Sequence, residues 1–97
     1  MNIIENKNWT NKPEVTIIKK TEKVKQFAVA LGKNGILSKH KAAFPTMLIV
    51  LKGEINFNIE NQNHHFKTFD TYEIPVNVEH EVTGLMDENL FLLTQEL

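Results

Sequence analysis

Cysteine and arginine are both missing from the 97 residues. Without cysteine there is no disulfide, no thiolate metal site and no cysteine nucleophile. Without arginine, all eleven basic residues are lysines. The planar fork that grips phosphate, carboxylate or guanine at two points is therefore lacking. Twelve acidic residues leave a net charge of -1, and no run of like charges is longer than a pair. That is no electrostatic footprint for DNA or an anionic membrane. Long apolar runs are missing too, since Met47 to Leu51 spans only five residues, far short of a bilayer. Met1 to Lys12 is polar and asparagine-rich and does not read as a signal peptide. We expect a cytoplasmic protein with no nucleic-acid or membrane partner.

What is present fits one domain, residues 1–97. A chain of 11.2 kDa buries roughly two-thirds of its unfolded surface, which leaves little margin. A homodimer would add buried apolar area, and one is expected. Trp9, the only tryptophan, is costly to leave in water and should pack against the body or a neighbour.

No segment carries a helical stripe over ten residues. Val15 to Lys20 reads as a strand, and Lys23 to Leu31 alternates with neither side purely polar, as when both faces are covered. Gly32 to Gly35 is a turn. Ile36 to Ala42 is a strand closed by Phe44-Pro45, and the apolar run within Thr46 to Lys52 reads as a strand covered on both faces. Gly53 breaks it. Glu54 to Glu60 sets Ile55, Phe57 and Ile59 against a polar face, which pins its register. Asn61 to Asn63 turns it into a partner over His64 to Phe69. Short strands follow at Asp70 to Ile74, Val78 to Leu85 and Leu90 to Thr94. Eight to ten short strands with frequent turns predict an all-β barrel or jelly roll.

Two stretches, 34–53 and 69–84, resemble the paired motifs of the cupin superfamily, small jelly-roll barrels. The first motif's spacing puts its opening glycine on Asn34, its two histidines on His40 and Ala42, its glutamate on Thr46 and its closing glycine on Gly53. In the second motif the glycine falls on Phe69, the proline on Pro75, the next glycine on Asn77, the histidine on His80 and the asparagine on Gly84. Asp70 follows Phe69 as an aspartate often does there. The resemblance implies an antiparallel cupin barrel and one divalent-metal site, of which His40 and His80 remain.

Thr46 is a neutral hydroxyl and Ala42 no ligand at all, whereas catalytic metal sites use three protein ligands plus water. Zinc, iron, manganese or nickel would need a third ligand from His64, His65 or Glu73. Adjacent His64 and His65 face opposite ways on a strand, so at most one looks inward. The pocket is expected to involve His40, Thr46, Leu48, Phe57, Tyr72 and His80. The expected function is a small-ligand-binding, accessory or sensor barrel without a complete metal site. The alternatives are a metal-dependent oxygenase or isomerase with a third ligand, and a structural dimer.

Overall fold

The computed structural model describes all of residues 1–97 and contains no helix. Its nine strands are β1 (Glu14–Lys20), β2 (Val24–Leu31), β3 (Ile36–His40), β4 (Thr46–Lys52), β5 (Glu54–Ile59), β6 (Gln62–Lys67), β7 (Thr71–Ile74), β8 (His80–Gly84) and β9 (Asn89–Glu96). They form two antiparallel sheets, ordered β1-β2-β9-β4-β7 and β3-β8-β5-β6. The chain crosses repeatedly between the sheets, as in a jelly roll.

Alternation in the sequence becomes two faces here. Val29, Leu31, Leu48, Val50, Phe91 and Leu93 from the larger sheet meet Ile55, Phe57, Ile59 and Val82 from the smaller one in a single core. Phe57 and Phe91 are fully buried. The mixed pattern of β2 has a local cause. Ala28 and Ala30 point away from the core and, with Leu90, carry Ile3 and Trp9. The N-terminal segment thus covers part of the outer face, and Trp9 packs against the body of its own chain. Val15, Ile17 and Met47 stay about half exposed.

Several boundaries move. The strand read as Ile36 to Ala42 stops at His40, because the Ala42 carbonyl instead accepts from the Asn77 amide. The turn read as Asn61 to Asn63 is the two-residue Glu60-Asn61, with φ of 52° and 60°. Both residues are left-handed, as tight hairpins require, so β6 begins at Gln62 and pairs it with Ile59. Phe69 lies outside β6, in a turn whose amides bond back to β4 and β6. Val78 precedes β8 and instead offers its carbonyl to His80.

Three positions where the motif spacing calls for glycine keep a glycine's backbone. Asn34, Phe69 and Asn77 have φ of 63°, 72° and 62°. Asparagine tolerates that region; a bulky phenylalanine rarely does.

Asn89, the first residue of β9, is fully buried. Its Oδ1 accepts from the Glu54 and Met86 amides at 3.0 and 3.1 Å. Its Nδ2 donates to the Leu31 and Met86 carbonyls at 3.0 and 2.7 Å. All four bonding capacities of the amide are used, and β2, β5 and β9 are tied together. A Cβ added at Gly53 or Gly84 would fall 2.5 or 2.6 Å from this amide, so both positions must stay bare.

Candidate ligand site

The site stands where β3 and β8 meet at one end of the barrel. Leu37 pairs with Val82, and regular pairing would then bring Lys39 opposite His80. A register shift between Leu37 and His40 sets His40 opposite His80 instead. One extra residue on a strand does this by re-aiming the side chains beyond it. The two rings lie 4.2 Å apart, edge to face at 62°. His80 stacks on Phe57 at 5.3 Å and 19°, which joins the pair to the core.

Each imidazole is oriented by its own chain. His40 Nδ1 lies 2.8 Å from the Ser38 carbonyl and His80 Nδ1 3.1 Å from that of Val78. Burial pushes the His80 pKa below its usual value of 6.5; the Val78 hydrogen bond opposes this and His40 adds to the lowering. His80 therefore sits in the fold as a neutral ring at pH 7.

A cavity of about 240 Å3 opens beside the pair. His40, Ala42, Thr46, His80, Ile74 and Gln95 line much of it, with Phe27, Phe44 and Leu93 completing an apolar side and Lys41 reaching in from the loop. Thr46 donates its hydroxyl hydrogen to the Phe44 carbonyl at 2.9 Å and accepts from Gln95 Nε2 at 3.3 Å. A smaller space of about 120 Å3 lies on the other side of His80, among Lys39, Asn58, Glu60, Asn61 and Glu79.

Of the six residues expected at the pocket, His40, Thr46 and His80 line the cavity. Leu48 and Phe57 do not, because both are sealed in the core and form the layer beneath. Tyr72 faces elsewhere, packing on Phe57, Phe66 and His64 at 5.1, 5.2 and 5.7 Å. Phe27, Ile74, Leu93 and Gln95 escaped notice. Only the sheet register brings Gln95 beside Thr46 and Thr46 beside Ile74.

The three reserve metal ligands are engaged elsewhere. His64 stacks against Phe66, His65 Nε2 meets Glu54 at 2.6 Å, and Glu73 lies exposed on β7, one residue from inward-facing Tyr72 and Ile74 and so on the opposite face. No three His, Asp or Glu side chains anywhere in the chain are placed to share an ion. With Thr46 already bonded to Phe44, two imidazoles are half of the cupin donor set, and these residues do not fit the group's divalent metal.

No family model and no curated protein matches the sequence. Solved structures do. An RmlC-like cupin family protein with a double-stranded β-helix fold from Methanocaldococcus jannaschii superposes with a TM-score of 0.82 at 23% identity, over 99% of this chain and 90% of that one. The fold is that of the cupins. A cupin superfamily protein from Desulfitobacterium hafniense gives a TM-score of 0.82 at 15% identity, over 91% of this chain and 80% of the other. A cupin domain from Bordetella pertussis gives 0.77 at 18%, over 89% and 94%. At such identities the likeness speaks for the cupin fold alone. The left-handed backbone at Asn34, Phe69 and Asn77 agrees with it residue by residue.

Proposed function

We propose that this cupin-fold chain is a small-ligand-binding barrel, serving as an accessory or sensor domain, in which the cavity has outlived the metal centre. One observation carries the reading: a preformed, half-apolar cavity of about 240 Å3 sits beside two oriented histidines, with Ala42 and Thr46 in its wall. Pockets for drug-sized molecules run to roughly 300–1,000 Å3, so this one suits a small guest. Apolar wall supplies the affinity and a few placed polar groups supply the orientation.

A fragment screen followed by the NMR signals of His40, Ile74 and His80 tests the reading. Fragments should move these signals in the wild type and not in an Ala42→Trp variant, whose side chain fills the cavity. A screen that moves none of them would end the proposal. Elemental analysis of untagged protein addresses the metal. One equivalent of iron, manganese, zinc or nickel, lost in His40→Ala and His80→Ala, would favour a metal-dependent enzyme instead.

A further inference from the structure

At the histidines the polar half of the cavity offers hydrogen-bond acceptors. A carbonyl can only accept, so the Nδ1 of His40 and of His80 must each donate, to Ser38 and Val78 respectively. In the neutral imidazole the other nitrogen, Nε2, is then a bare lone pair. Neither Nε2 has a hydrogen-bond partner in the protein. No side-chain nitrogen or oxygen is sealed from solvent without a partner, so the Nε2 of His80 opens onto accessible space, and His80 borders both the larger cavity and the smaller one beside it.

Gln95 adds to the same character. Its Nε2 donates one hydrogen to Thr46, which leaves Oε1 as a further acceptor beside the second amide hydrogen. The Thr46 hydroxyl hydrogen is already given to Phe44. No carboxylate lines the cavity, and its one cation, Lys41, is an exposed loop residue. An anion entering here would meet lone pairs at the histidines. A guest that donates hydrogen bonds would meet partners, and a buried acceptor left unpaired is costly.

We infer that the cavity takes a small uncharged molecule with a compact apolar body and two adjacent hydroxyls, one donated to Nε2 of His40 and the other to Nε2 of His80. Adjacent hydroxyls suit two rings whose centroids lie 4.2 Å apart. Phe27, Phe44, Ile74 and Leu93 receive the apolar body. The inference rests on the ligand-binding reading above and adds to it the chemical class of the guest.

The test titrates the full chain, in EDTA and at mildly alkaline pH, with catechol, phenol, veratrole and benzoate, reading the ring nitrogens of the histidines by NMR. These probes share one apolar ring and differ in having two donors, one donor, none, or a charge. Catechol should shift Nε2 of both rings and bind about tenfold tighter than phenol, the worth of one well-made hydrogen bond. Veratrole and benzoate should leave both nitrogens unmoved. His40→Phe and His80→Phe keep a ring in place and should each abolish the preference for catechol over phenol. Thermal unfolding verifies that each variant is folded, and the half-exposed His40 position decides the matter if His80→Phe is not. Catechol binding no tighter than phenol, or benzoate or veratrole binding as well as catechol, would overturn the inference and leave the ligand-binding reading standing. Binding that appears only without EDTA would overturn it in favour of a metal. Failure of all four probes would also overturn it, while the fragment screen with Ala42→Trp separately decides whether the cavity binds anything.

Discussion

Removing the Asn89 side chain should cost this protein much of its stability. Asn89→Ala deletes four hydrogen bonds, each worth roughly 1 kcal/mol net. The sum is about 4 kcal/mol by this magnitude, against a total stability of roughly 5–15 kcal/mol for a domain of this size. Each kcal/mol lowers the melting temperature of such a domain by about 4–8 °C, so a loss of at least about 16 °C is expected. Urea denaturation followed by Trp9 fluorescence, beside a thermal scan, measures it. Asn56→Ala is the control. Asn56 bonds Asn63 on the exposed face of β5, and its loss should cost about 0.5 kcal/mol or less. A cost below about 2 kcal/mol for Asn89→Ala would refute the reasoning, since it would mean that water or a backbone shift replaces the amide.

Phe69→Gly should raise stability by up to about 1 kcal/mol: it relieves a left-handed penalty of roughly 1–2 kcal/mol and gives part of it back in chain entropy. Asn77→Gly, where the resident already tolerates positive φ, should change urea midpoints little by comparison. His80 makes stability depend on pH. Its folded pKa lies below the unfolded one, so the unfolded chain binds the extra proton and stability is lost as pH falls from about 6.5 through the folded value. Denaturation curves across that range should show the acid loss in the wild type and a smaller one in a folded His80→Phe variant. If the exposed Val15, Ile17 and Met47 serve self-association, light scattering should give twice the 11.2 kDa chain mass, and a concentration-independent monomer would count against the homodimer.

The histidine pair shows where reading the sequence stops. Spacing alone placed His40 and His80 at corresponding motif positions, and two of the six expected pocket residues are these. The extra residue between Leu37 and His40 carries no local signal, yet without it Lys39 would face His80. The expected pocket residues Leu48, Phe57 and Tyr72 failed for a related reason. Apolar residues of the core layer and of the cavity wall look alike in sequence, and depth along the barrel separates them.

The chain by itself determined the all-β character and the approximate strand positions, and its motif spacing pointed to the barrel type. These follow from period-two patterning, which is local, and from turn spacing, which survives even where Asn34, Phe69 and Asn77 replace glycine. It also showed that Ala42 and Thr46, where the cupin resemblance calls for metal ligands, offer no strong donor, because ligand chemistry is a property of the side chain. Only the tertiary structure decided that Asn89 is a buried knot, that Trp9 and Ile3 cover the outer face of β2, and that Gln95 shares a wall with Thr46. Each of these is a contact between distant segments. Register sets such contacts, and register is decided by the packing of the whole sheet rather than by any one stretch of it.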